Sequence, residues 1–137
     1  MGLIADTSVF IQGKRSGKSA LEVIESLSAA YGRESIEASV VTLAELTHGI
    51  YRAKSVAISA KRRRFIEDLR SQLPFHDVTQ EIATLTGRIE GEQAAKGIAI
   101  AFQDLVIGAT AHHLDYSVLT SNTKHFSLIP NLTILPI

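Results

Sequence analysis

The chain contains no cysteine and no tryptophan, and only one methionine and three prolines. The lack of cysteine excludes disulfides, cysteine nucleophiles and zinc held in a sulfur cage. Aromatic residues are few, five Phe and three Tyr. Stacking platforms for nucleobases are therefore scarce, and any nucleic-acid partner is expected to be read mainly through shape and phosphate. No stretch approaches the ~18 consecutive apolar residues of a membrane span. The opening Met1-Gly2-Leu3-Ile4-Ala5-Asp6 lacks the basic and apolar regions of a signal peptide. The expectation is a cytoplasmic protein without membrane association.

An excess of charge is lacking too. Fourteen basic residues balance fourteen acidic ones, so the global balance announces no polyanionic partner. The local distribution is less even. Between Leu46 and Ile66 there is no acid, yet Arg52, Lys54, Lys61, Arg62, Arg63 and Arg64 all fall there. Lys14, Arg15 and Lys18 form a second cluster. Each run alone reads as a solvated helix face or as a seat for phosphates.

With 137 residues, 45% of them hydrophobic, the chain is expected to fold as one domain over 1–137 and to bury a core without staples. Leu3–Ala5 is an apolar run ending at Asp6, a buried-strand pattern. Ala20, Val23, Ile24, Leu27 and Tyr31 follow helical spacing and predict a helix over Lys18–Ala30. Ile36–Val41 reads as a second strand, with Thr42 capping the helix striped by Leu43, Leu46 and Ile50. A helix over Arg62–Leu73 stops before Pro74, and Phe75–Val78 makes a brief third strand. Ile82, Leu85 and Ile89 mark a helix fading near Gly97, and Asp104 opens an almost wholly apolar helix to Leu114. Ser117–Thr120 and Leu132–Leu135 are the last strands. Alternating strands and helices predict an α/β domain with a mainly parallel sheet covered on both faces. In such sheets, sites gather at the carboxyl ends of strands near a topological switch point.

Three acids stand among Leu, Ile, Val and Ala: Asp6 after the first strand, Glu45 in the helix after the second, and Asp104 at the start of the apolar helix. Each has a structural reading. Glu45 completes a capping-box pattern with Thr42, Asp104 suits an N-cap, and Asp6 suits a strand-end turn. Taken together, they can converge at the carboxyl edge of a doubly wound sheet. Crowded buried carboxylates must protonate or bind a cation, and a hard divalent ion with oxygen ligands meets that need.

The motifs around these acids resemble those of PIN domains. Ile4-Ala5-Asp6-Thr7-Ser8-Val9 is similar to the opening motif, Val41-Thr42-Leu43-Ala44-Glu45-Leu46 to the second, Asp104-Leu105-Val106-Ile107-Gly108-Ala109-Thr110-Ala111 to the third, and Leu119-Thr120-Ser121-Asn122-Thr123-Lys124-His125-Phe126 to the fourth. Four motifs in order over essentially the whole chain resemble the VapC-like branch. The resemblance implies a compact α/β/α sandwich, RNA cleavage dependent on Mg²⁺ or Mn²⁺, a homodimer, and a cognate antitoxin that blocks the site. It implies Asp6, Glu45 and Asp104 as catalytic acids, with Asp6 and Asp104 holding the metal. Thr7, Ser8, Thr120 and Asn122 become supporting polar groups. Asn122 stands where many relatives carry aspartate, which weakens the case for a second tightly held metal. Arg52 and Lys61, Arg62, Arg63 and Arg64 are expected to meet either RNA or the antitoxin.

Other readings compete. A catalytically degenerate PIN domain would bind RNA or protein without cutting. Gly13-Lys14-Arg15-Ser16-Gly17-Lys18-Ser19 resembles a phosphate-binding loop, but three residues separate its glycines where the motif needs four. A nuclease built on histidine would draw on His48, His76, His112, His113 and His125, which show no evident pairing in the sequence.

Overall fold

The computed structural model describes residues 1–32 and 34–137. The element order is β1 (Gly2–Ala5), α1 (Thr7–Arg15), α2 (Ala20–Tyr31), β2 (Ser35–Ser39), α3 (Val40–Tyr51), α4 (Val56–Gln72), β3 (Phe75–His76), α5 (Gln80–Ala94), α6 (Phe102–Leu114), β4 (Ser117–Thr120), α7 (Thr123–Phe126) and β5 (Ile134–Pro136). The five strands form one sheet in the order β3-β2-β1-β4-β5, and every pairing is parallel. The expected "mainly" parallel sheet is wholly so. No helix of the described residues is long and apolar enough to cross a membrane.

The strands alternate faces because successive side chains point to opposite sides. Leu3, Ala5, Ile36, Ala38 and Leu119 pack with Val9, Phe10, Val23, Leu27, Phe65 and Leu69 on one side. Ile4 and Val118 pack with Ile82, Ile89, Leu105, Ile107 and Phe126 on the other. The result is an α/β/α sandwich. From β1 the sheet grows through β2 to β3, then restarts on the opposite flank with β4 and β5. The switch point therefore lies between β1 and β4, at Asp6 and Thr120.

Several helix starts differ from the sequence reading. Ser39, not Thr42, caps α3, accepting from the Val41 amide. The strand ends at Ser39 because that cap interrupts the apolar run, and Val40 and Val41 turn into the helix. Thr42 is wholly buried inside α3. Asp104 is not an N-cap either, since α6 begins at Phe102 after Ala101. Lys18 and Ser19 precede α2, where Ser19 and Glu22 form a capping box. Helix α4 begins earlier than predicted, capped by Ser55 on the Ile58 amide; its first turns, Val56-Ala57-Ile58-Ser59-Ala60, are mostly apolar yet exposed, and burial begins only at Phe65.

Two helices, α1 and α7, escaped the periodicity. Helix α1 buries only Thr7, Val9 and Phe10, too short a stripe to register, and it contains Gly13. That glycine serves close packing: a Cβ there would lie 2.4 Å from Val23 Cγ2 of α2. Gly13 is thus helical, and the phosphate-loop reading falls because no loop with the required geometry exists around it.

The carboxylate cleft as candidate active site

Asp6 follows β1 and stands at the N-cap position of α1, yet its side chain caps no amide of that helix. Its carboxylate instead accepts from Ser8 Oγ at 2.7 Å and from Thr120 Oγ1 at 2.9 Å. Only 4% of Asp6 is exposed, so these two hydroxyls fix the orientation of a buried anion. Thr120 Oγ1 in turn accepts from the Asn122 amide at 2.9 Å, and Ser8 Oγ from the Ser121 amide at 3.2 Å. The turn after β4 and the turn after β1 are therefore held as one unit across the switch point.

Glu45 comes from α3. Thr7 Oγ1 donates to Glu45 Oε1 at 2.7 Å and shares a 2.9 Å hydroxyl contact with Thr42. Glu45 is exposed as a residue, while its carboxyl group, held by Thr7, is partly desolvated. Desolvation pushes its pKa up; the Thr7 bond opposes this, and the charges of Asp6 and Asp104 add to the rise. Asp104, in the first turn of α6, is half-buried with its side chain 18% exposed. Burial raises its pKa first and the Asp6 charge second, with nearby His125 opposing.

The structure brings Asp6, Glu45 and Asp104 into one electrostatically coupled group, as the topology predicts. It also places Thr7, Ser8 and Thr120 on them by direct hydrogen bonds. Asn122 joins the group through its backbone amide, which donates to Thr120 Oγ1, and its side chain does not cap α7. Among the described residues, no group of three or more His, Asp or Glu side chains is placed to hold a metal ion as they stand, so a cation here would rest on fewer direct protein ligands and on water. The group is a set of carboxylate and hydroxyl oxygens, with the His125 ring against Asp104. Such a donor set fits a hard divalent cation that retains waters, which would offset both the burial that chiefly raises these carboxyl pKa values and the smaller repulsion among them.

Two groups were not legible in the sequence. His125 Nδ1 lies 3.4 Å from Asp104 Oδ2, a contact created by α7 folding back over α6. Thr42 supports Thr7 from inside α3, although its spacing reads as a cap. Elsewhere, Glu37 on β2 and His76 on β3 pair at 2.5 Å. A glutamate between Ile36 and Ala38 in a buried strand was the available signal for that second pair.

The basic residues lie apart from the carboxylates. The two sequence clusters, Lys14 with Lys18 and Lys61 with Arg62 and Arg64, face one groove of about 490 Å³ between α1–α2 and α4. Desolvation lowers the Lys14 pKa, as do Arg62 and Arg15. Arg62 is partly committed internally, donating from Nη1 to the Gly49 carbonyl at 2.6 Å. Arg52 ends α3 and is exposed. Arg63 faces away from the groove, beside Arg64 and Glu67.

The fold and site define an α/β/α sandwich with a carboxylate group at the switch point of its parallel sheet. Comparison with known proteins narrows that class. The PIN domain family matches residues 3–132. The ribonuclease VapC of Rickettsia bellii is 34% identical over 137 residues, spanning 100% of this chain and 97% of that protein. Among solved structures, VapBC of Salmonella typhimurium bound to DNA is 26% identical with a TM-score of 0.81, covering 99% of this chain and 98% of the other. VapBC2 of Rickettsia felis, bound to a promoter DNA fragment, reaches a TM-score of 0.85 at 23% identity, covering 100% and 99%. The chain belongs to the PIN-domain family, in its VapC branch.

Proposed function

We propose that this protein is a metal-dependent endoribonuclease acting as the toxin of a toxin–antitoxin pair in the cytoplasm. The observation that carries the reading is the coupled carboxylate group Asp6–Glu45–Asp104, oriented by hydroxyls rather than spent on helix capping. Family membership and the ribonuclease name of a relative that matches nearly end to end support it. Asp6 and Asp104 would hold Mg²⁺ or Mn²⁺. The ion would supply an acidified water and charge neutralisation at a phosphate oxygen.

The chain's own residues then have defined tasks. Ser8 and Thr120 hold Asp6 in one rotamer. Glu45, with a raised pKa and a fixed Thr7 donor, accepts the proton of the attacking water. Water oxygen bonds to phosphorus as the bond to the 3′-oxygen breaks; the departing 3′-oxygen takes a proton from solvent, leaving a 5′-phosphate and a 3′-hydroxyl, and Glu45 returns its proton to solvent.

The basic groove is assigned to the antitoxin rather than to RNA. Helix α1 starts beside the carboxylates at Asp6, and Lys14 lies roughly 12 Å further along it. The groove presents Ile58 and Phe65, and its five basic side chains outnumber Glu22 and Asp68, so a partner with acidic and apolar side chains fits it. The solved neighbour from Salmonella, itself a VapBC complex, supports a protein partner. A homodimer is expected and is checked by sedimentation.

The test is incubation of the partner-free protein with a pool of structured RNAs, in Mg²⁺ and in EDTA, beside Asp6→Ala. Metal-dependent cutting that the substitution abolishes upholds the proposal. Cutting undiminished in EDTA, or none from folded protein in either metal, overturns it; the latter outcome leaves a binding module.

A further inference from the structure

Tyr31 is the last residue of α2. Its half-buried ring packs against the core that α1 and α2 cover, as does Leu135 of β5. Its hydroxyl reaches further and donates to the Pro136 carbonyl, 105 positions away in sequence. Strand β5 is three residues long, partly buried at Ile134 and Leu135 and exposed at Pro136, and it forms the edge of the sheet beside β4. The end of so short an edge strand opens easily unless something holds it. Pro136 lies opposite Thr120 in the ladder and has no amide to give it. The next amide, that of Ile137, donates to the Thr120 carbonyl at 3.3 Å. The Pro136 carbonyl and the Ile137 amide belong to one planar peptide unit and point in opposite directions. Tyr31 therefore orients a plane whose other edge meets Thr120, and a carbonyl that accepts a bond makes its own amide a better donor.

The end of β4 holds Asp6 twice. The Asp6 amide donates to the Leu119 carbonyl at 2.9 Å, and Thr120 Oγ1 donates to Asp6 Oδ2 at 2.9 Å. Thr120 is wholly buried, and its β-branched side chain is stiff at χ1. The position of its hydroxyl therefore follows its backbone. The same hydroxyl accepts from the Asn122 amide, so a shift of Thr120 is felt there too. A β4 end that drifted with a loosened β5 would carry the donor away from Asp6. Phenylalanine at position 31 would supply the same apolar contact; only the hydroxyl reaches Pro136.

We propose that Tyr31 is a positioning residue: its hydroxyl latches the peptide between Pro136 and Ile137 onto Thr120, and so keeps the Thr120 hydroxyl on Asp6. Its consequence for metal binding rests on the metal-dependent reading of the cleft, whereas the latch itself does not. The relay runs from the end of α2 through the edge strand to the buried carboxylate, and each step is a direct hydrogen bond or a single peptide unit.

The experiment separates the latch from general stability. Tyr31→Phe removes the hydroxyl and keeps the ring. Ser55→Ala, which removes the cap of α4 beyond the end of α3 that is remote from Glu45, controls for loosening elsewhere. Two readouts are taken on the partner-free protein: amide hydrogen exchange in EDTA, and Mn²⁺ affinity by electron paramagnetic resonance. In Tyr31→Phe the amides of Ile137 and Asn122 should exchange at least about twofold faster, and Mn²⁺ should bind between about twofold and about tenfold more weakly, as for one lost hydrogen bond. Ser55→Ala should change neither. Adding Tyr31→Phe to Thr120→Val should weaken Mn²⁺ binding no further, because the latch acts through that hydroxyl. Exchange at Asn122 unchanged in Tyr31→Phe, an equal effect of Ser55→Ala, or an undiminished further loss on Thr120→Val each overturns the proposal. If Thr120→Val does not fold, the comparison of Tyr31→Phe with Ser55→Ala decides. Wild-type protein that takes up no Mn²⁺ overturns the metal-dependent reading, and exchange at Asn122 then upholds or overturns the latch by itself.

Discussion

Replacing Asp104 by asparagine should stabilise the metal-free protein while removing its activity. The charges of Asp6 and Asp104 act on Glu45, and that of Asp6 on Asp104, opposed at Asp104 by the exposed His125. Like charges a few ångströms apart repel by a few kcal/mol at an effective dielectric of about 20. Partial exposure and salt reduce this to about 1 kcal/mol for Asp104. Loss of the His125 contact offsets little, because that ring is 64% exposed and the asparagine oxygen still accepts from it. For 137 residues the unfolding entropy is about 0.29 kcal/mol/K, so Asp104→Asn should raise Tm in EDTA by about 3 °C at pH 7.

The pH dependence follows the same sign. A carboxyl whose folded pKa is raised holds its proton more tightly when folded. Its contribution to stability is full below the ordinary values of 3.8 for Asp104 and 4.5 for Glu45, and it is lost as pH rises through the raised folded values. The Tm advantage of the asparagine variant should therefore vanish toward pH 4 and grow toward neutrality. Added Mg²⁺ should raise the Tm of the wild type more than that of the variant. Scanning calorimetry in EDTA and in Mg²⁺ reads all of this. A variant less stable than wild type in EDTA at pH 7 would refute the claim that the cleft stores repulsion.

Thr7→Val removes the donor that holds the Glu45 pKa down. The acid limb of the pH profile of kcat/KM should move to higher pH, with a loss of roughly tenfold at the plateau, as for a charged hydrogen bond; an unmoved limb refutes the base assignment. Gly108→Ala places a Cβ 2.5 Å from Ile129 Cδ1 and should cost about 1–2 kcal/mol by urea titration. Lys61→Glu with Arg64→Glu should loosen the antitoxin complex at least roughly tenfold, chiefly through slower association, and leave RNA cleavage and Tm nearly unchanged. Impaired cleavage with intact antitoxin binding would return the groove to RNA. Arg62→Ala should instead lower stability by about 1 kcal/mol, because its bond to the Gly49 carbonyl links α3 and α4.

The sequence by itself determined the layer order and the acids. Short continuous apolar runs such as Leu3–Ala5 and Val118–Leu119 mark strands buried on both faces. The stripes of α2, α3, α5 and α6 mark helices that cover the sheet, so the parallel α/β architecture was readable from spacing alone. Asp6, Glu45 and Asp104 stood out because charge amid apolar residues is costly unless it has a use. Local rules failed where two hydroxyls could serve either of two purposes. Thr42 and Ser39 both suit an N-cap, and only the pairing of Ala38 and Ser39 with β3 settles which one ends the strand. The same ambiguity hid α1, whose stripe is short and whose Gly13 makes sense only once Val23 of α2 is seen against it. Tertiary structure alone decided the rest: Thr7 on Glu45, Thr120 on Asp6, His125 on Asp104, and two distant basic clusters on one groove. These contacts join residues up to 114 positions apart. Their partners are set by how strands stack around a switch point, a property of the whole sheet that no window of local sequence contains.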